Sequence, residues 1–183
     1  MATVVDHIRF HAKLYRLGSR VDTPLRNVRA ANTVAMGRNV RIRKHAWFSI
    51  KPECKVSIGD NTRIGRHFVI AGAGTRIDIE SDVLISERVL IAECYHEFRD
   101  VEKPIIDQGI CSMGPVRVGT GSWIGMGVCV MPGVTIGKHC VIGANAVVTS
   151  DIPDFSVAAG TPARVIKQYD VEKKAWMPVT TTE

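Results

Sequence analysis

The sequence has no C-x-x-C pair, no apolar run long enough to span a bilayer and no signal-peptide pattern. With an odd set of five cysteines (Cys54, Cys94, Cys111, Cys129, Cys140), the first absence argues against both a disulfide framework and a zinc knuckle. A reducing, cytoplasmic setting is the expectation. Carboxylates are scarce in one region. The first 45 residues carry ten Lys and Arg against only Asp6 and Asp22, so the formal net charge of +6 is local and the remainder is slightly acidic. Such a basic arm suits weak peripheral contact with an anionic surface, phospholipid headgroups or an acidic glycan, or else a solvated cap on the open end of a repeat fold. Of the six histidines, only His7 and His11 lie one helical turn apart, and no third metal ligand accompanies them.

What the chain does have is a repeat. From Val118 to Pro153 it reads VGTGSW, IGMGVC, VMPGVT, IGKHCV, IGANAV, VTSDIP, with Val118, Ile124, Val130, Ile136, Ile142 and Val148 at one fixed spacing. Gly119, Gly125, Gly137 and Gly143 follow directly, and Ser122, Val128, Val134, Cys140 and Ala146 stand four places after successive aliphatics. A period of six fits neither a helix at 3.6 nor a long strand at 2.0. It fits very short strands separated by turns, three hexads to a triangular coil, with glycines supplying backbone conformations that other residues reach at a cost. Stacked coils would bury a column of Ile and Val that no single coil could bury alone. At 183 residues one domain is expected.

The hexads, together with the segment WIGMGVCVMPGVTIGKHCVIGANAVVTSDIPDFSVAAGTPARVIK, closely resemble the hexapeptide-repeat acyltransferases, in particular the galactoside, maltose and polysaccharide O-acetyltransferases. The resemblance runs from about Ile58 to Lys167. It implies an all-β solenoid, a left-handed parallel β-helix, with acetyl-CoA as acyl donor and a homotrimeric assembly. The expected organisation is a short helix and basic arm over 1–33, the solenoid over 34–160 with a protruding loop at 97–105, and a C-terminal segment over 161–183. The helix is read from Val4, Ile8, Ala12 and Tyr15, with Gly18 and Ser19 as its stop.

The register traces back from Ile64 and Ile58 through Pro52, Ala46, Val40 and Val34. It is interrupted by the Gly-rich stretch before Arg76, which lacks the strand–helix setting of a nucleotide loop and reads as an extended corner. After Ile91 it breaks again, and the frame is expected to resume at Ile106 and Ser112. His96 stands at the base of the polar loop so extruded, where such solenoids place binding groups. Its position matches that of the family's catalytic histidine, and imidazole is the side chain that begins as a neutral base near neutral pH. Glu93, Glu97, Asp100 and Glu102 are near enough in sequence to orient it. The resemblance further implies CoA contacts at Trp123, Met126, Ala144, Thr149, Arg164 and Lys167, with the Met126 amide as oxyanion donor and the two cations meeting phosphates.

The expected function is acetyl transfer to a sugar hydroxyl, within a surface polysaccharide or lipopolysaccharide precursor, with no metal and no nucleic-acid partner. N-acetylation of an amino or nucleotide sugar, antibiotic acetylation, a γ-class carbonic anhydrase and a non-catalytic scaffold are the alternatives. The carbonic anhydrase needs three zinc-binding histidines that the spacing does not offer.

Overall fold

The six-residue spacing becomes coils of three short strands, each strand pairing in parallel with its counterpart one coil on. The computed structural model describes residues 18–21 and 33–179; the expected N-terminal helix lies outside them. One face of the solenoid stacks Val34–Met36, Lys55–Ile58, Arg76–Ile79, Val116–Val118 and Thr135–Ile136. The second stacks Arg20–Val21, Arg41–Ile42, Arg63–Ile64, Leu84–Ile85, Trp123–Ile124, Val141–Ile142 and Ser156–Gly160. The third stacks Trp47–Ile50, Val69–Gly72, Leu90–Ala92, Cys129–Val130 and Val147–Val148. The chain is thus an all-β solenoid, a parallel β-helix, and among the described residues the only helical piece is the 3-10 turn Ile105–Asp107. No helix among them is long and apolar enough to cross a membrane.

The interior follows from side-chain alternation along each strand. Ile58, Ile79, Val118 and Ile136 meet rung by rung on the first face, and Ile42, Ile64, Ile85, Ile124 and Ile142 on the second, all buried. Each such side chain contributes about 1.5–3 kcal/mol when taken fully out of water. The glycines after these aliphatics serve close packing more than unusual dihedrals. A Cβ on Gly125 would lie 2.6 Å from the Ile142 carbonyl oxygen one coil on. The left-handed backbone falls two residues later, where Asn39, Asn61 and Asp82 adopt φ of 55, 60 and 60° at the first corner. Their side chains form a ladder, Asn39 Nδ2 donating to Asn61 Oδ1 (3.1 Å) and Asn61 Nδ2 to Asp82 Oδ1 (3.0 Å).

The corner between the third and first faces absorbs every departure from the repeat. Contacts that join successive coils span 22 residues from Arg38 to Asp60, 21 from Asn61 to Asp82 and 18 from Ser122 to Cys140. The early coils are longer because Lys51–Cys54 and Ala73–Thr75 bulge at this corner. The first bulge corrects the traced register. Val34 pairs with Val56, not with Pro52, which is exposed at the bulge instead of facing inward. Ile106 is not inward either, being 85% exposed. The chain leaves the solenoid earlier and returns later than the spacing suggests: Cys94–His96 and Ile110–Ser112 pair antiparallel, and the frame resumes at Val116. The C-terminal segment is also more ordered than its composition suggests. Ala163–Asp170 pairs antiparallel with Ser156–Gly160 and then with Ala175–Pro178, where Tyr169 and Trp176 meet edge to face at 5.4 Å.

Candidate active site

The hairpin projects from the third corner, and its base is held by one buried carboxylate. Glu93 is fully buried and accepts hydrogen bonds from the amides of Ala73 (2.8 Å), Gly74 (3.2 Å) and Thr75 (3.0 Å) and from the Thr75 hydroxyl (2.7 Å). The Ser112 hydroxyl, on the returning strand, donates to it as well. Three successive amides turned to one point make an anion nest, and here the anion is the protein's own. Burial pushes the Glu93 carboxyl up, but the hydrogen bonds from Ser112, Ala73, Thr75 and Gly74 outweigh it and leave the group below its ordinary value. Glu93 thereby ties the bulge of the coil below to both legs of the hairpin.

His96 ends the outgoing strand, exposed, opposite Ile110. Residues alternate across a hairpin, so Tyr95, Glu97 and Cys111 share one side and His96 the other. Glu97 accepts from the Phe98 and Arg99 amides (2.9 and 3.0 Å), the Arg99 guanidinium and the Cys111 thiol (2.7 Å). The Arg99 guanidinium, then the Cys111 thiol, hold its carboxyl far below the usual carboxylate range. Asp100 pairs with Lys103 and accepts from the Glu102 amide (3.1 Å), while Gln108 clamps the turn by donating to the carbonyls of Asp100 (2.7 Å) and Lys103 (2.8 Å). None of the four nearby carboxylates bonds the His96 imidazole, which has no hydrogen-bond partner among the described residues.

The expected donor-side residues fall in three places. Met126 and Ala144 occupy the same place on consecutive coils at the corner between the second and third faces, where the Asn145 amide donates to the Met126 carbonyl (2.8 Å). The Met126 and Ala144 amides have no hydrogen-bond partner among the described residues. Arg164 extends this line, since it pairs with Ala159, whose Cβ lies beside Gly143. Trp123 and Lys167 stand in one outward column of the second face through Val141 and Val157, and the Trp123 indole donates to the Ser86 hydroxyl (3.0 Å). Thr149 sits instead at the third corner, the edge from which the hairpin departs. Within one chain, therefore, His96 and Thr149 lie on one edge and Met126, Ala144 and Arg164 on another, with the third face between them.

That face carries no charge on its outward side. Trp47, Val69, Leu90, Cys129 and Val147 form one column, and Ser49, Ala71 and Ala92 a second. The first face is polar by contrast, with Ser57, Asp78, Arg117 and Thr135 in its outward column. Sequence reasoning did not find the role of Glu93. A Gly-rich corner followed some 20 residues later by an acid directly after the apolar run of residues 89–92 is the signal that could have found it.

Residues 115–150 match the family model described as bacterial transferase hexapeptide (six repeats). The chain is 42% identical over 125 residues to a probable acetyltransferase of Mycobacterium tuberculosis, covering 67% of this chain and 40% of that protein. It is 37% identical over 136 residues to the galactoside O-acetyltransferase of Escherichia coli, covering 72% of this chain and 64% of the relative. It thus spans less than two thirds of the length of these relatives. The crystal structure of a maltose O-acetyltransferase from Clostridium difficile 630 superimposes with a TM-score of 0.60 at 28% identity, covering 91% of this chain and 88% of that one.

Proposed function

Because this chain belongs to the hexapeptide-repeat acetyltransferase family, we propose that it transfers acetyl from acetyl-CoA to a sugar hydroxyl, within the cytoplasm, on a surface polysaccharide or lipopolysaccharide precursor. His96 takes the hydroxyl proton as the oxygen attacks the thioester carbonyl carbon. The oxyanion so formed meets the unbonded Met126 amide, an electrostatic role that suits a fixed backbone donor. Collapse breaks the C–S bond, and the imidazolium returns its proton to the departing CoA sulfur, so that no acyl-enzyme forms. Ala144 and Thr149 line the pantetheine path with Trp123, and Arg164 and Lys167 face the phosphates at the nucleotide end.

The observation that carries this reading is the split of these residues between two edges. A lone prism presents a convex edge, whereas ligand sites are concave. Three chains with their uncharged third faces turned to a common axis would set the His96 edge of one against the Met126 edge of the next. A homotrimer so built holds three equivalent grooves, each with its base from one chain and its oxyanion donor from a neighbour. The test is thiol release from acetyl-CoA across a panel of sugars and nucleotide sugars, repeated with mixed variants. His96→Ala and Arg164→Glu proteins, each inactive alone, should recover part of the activity on co-refolding. A monomer with full turnover would end the shared-site reading, and silence with every acceptor would end the transferase reading.

A further inference from the structure

The Met126 edge changes character below Met126. At the places Met126 and Ala144 hold on the later coils, the first two coils carry Lys44 and Arg66. At the places of Gly127 and Asn145, the first three carry His45, His67 and Arg88. The adjoining outward column of the second face likewise runs Arg41, Arg63, Leu84, Trp123. Lys44, Arg66, Arg41, Arg63 and Arg88 are exposed, and none forms an ion pair among the described residues. On the first face Arg38 is matched by Asp60 and Arg117 by Glu80, while Lys51 and Lys55 by the third corner are isolated cations that form no comparable line. The band has direction. Its rungs lie about 4.8 Å apart, the spacing of paired strands. It ends where the Arg88 guanidinium donates to the Met126 sulfur (3.3 Å). Glu87 is the one carboxylate in it among the described residues.

We propose that this cationic band is the acceptor subsite and that the acceptor is an acidic glycan, a carboxylate-bearing chain lying along the early coils with one hydroxyl brought to the acetyl group. This rests on the reading that places the thioester at Met126. With the donor occupying the later coils, where Arg164 and Lys167 are assigned to its phosphates, the groove has one free direction, and the remaining unpaired cations of this edge and column lie there. Unpaired guanidinium groups suit carboxylates, which they meet with two parallel hydrogen bonds. The cations follow one edge and one column, a line that fits a chain. A bilayer would need a whole flat face, and the face on the other side of this edge has no outward charge.

The test separates binding from turnover. Without acetyl-CoA, calorimetry with the full chain and an oligogalacturonate should give binding at least about tenfold tighter than with the same oligomer after carboxyl reduction. The preference should shrink as salt rises toward about 0.5 M. A K44E/R66E variant, altered only at exposed positions and checked by its melting curve, should lose on the order of tenfold in affinity for the acidic oligomer. K44Q/R66Q should lie between. In the acetyl transfer assay the ratio of kcat/KM for the acidic over the reduced oligomer should fall in the same order. Equal affinity for the two oligomers overturns the proposal, as does an unchanged K44E/R66E protein. Sedimentation with phosphatidylglycerol vesicles, without oligogalacturonate binding, overturns it in favour of a membrane. If the acidic oligomer binds as stated but no acceptor ever releases thiol, the subsite stands and the transferase reading fails.

Discussion

The coils before the hairpin and those after it share an interior and an uncharged third face, and differ at their second and third corners. Ile58 and Ile136 occupy the same buried column, joined through Ile79 and Val118. Yet the early coils bulge at the third corner and are basic at the second, whereas the later coils shorten, spanning 18 residues from Ser122 to Cys140 and 16 from Lys138 to Asp154, and carry no charge at the places of Met126 and Ala144. The hexad thus fixes the packing and leaves the outer turn positions open. Selection at those positions costs the core nothing, so one scaffold has room for the donor half and the acceptor half proposed above. The hairpin with His96 sits at the seam between them.

The seam is the place to test first. His96→Ala should leave the melting curve unchanged and lower turnover by about 10²–10⁴, the range for losing a positioned general base; a folded variant that keeps most of its rate would move the chemistry elsewhere. Next comes the shared interior. Ile58→Ala and Ile136→Ala should each cost about 2–5 kcal/mol in urea melts, because neither half has room to collapse around the cavity. Clearly unequal losses would mean that the two halves are not packed alike. Glu93, which belongs to the early half's irregular corner, should cost on the order of 3 kcal/mol when replaced by Ala, since several buried amides lose their acceptor. Its carboxyl lies below its ordinary value when folded, so its contribution is complete above the unfolded group's pKa of ~4.3. It is lost as pH falls through the folded value, and Glu93→Gln should remove that part of the acid transition. The smallest effect is expected in the donor half: Arg164→Ala should raise the KM for acetyl-CoA roughly tenfold, the loss of one charged hydrogen bond, with the acceptor KM unmoved. A change confined to the acceptor KM would reverse the assignment of the halves.

The solenoid was legible because its signal is additive: six aliphatics in one frame, from Val118 to Val148, all prove inward. The frame failed where one irregular corner intervened. Pro52 falls six before Ile58, but it lies in the bulge at Lys51–Cys54, and the inward side chains of the strand before it are Phe48 and Ile50, both buried. Ile106 failed for a related reason. An aliphatic residue at the right count reads as inward whether or not the chain is still in the coil, and only the pairing of Cys94 with Ser112 reveals that it has left. The break located His96 at the end of a coil, at the base of a projecting loop, whereas strand pairing puts it already on the hairpin, opposite Ile110. That Glu97 lies across the hairpin from it did not follow from the break, because strand pairing decides sides and sequence proximity does not. The separation of Thr149 from Met126 was equally out of reach of a linear spacing, which does not record which of three corners a residue occupies.

A parallel solenoid contains nothing that tells it to stop: its last coil offers the same hydrogen-bonding edge that its first coil could extend, and two molecules could join end to end into a fibre. The reversal between Gly160 and Ala163 breaks that translational symmetry on one face. Beyond it the sheet shows strands of alternating direction, ending on Ala175–Pro178 with a proline that has no N–H to donate. An incoming first coil would meet an edge of the wrong polarity there. On this face growth along the axis is thus closed by a change of strand direction and not by exhaustion of the repeat.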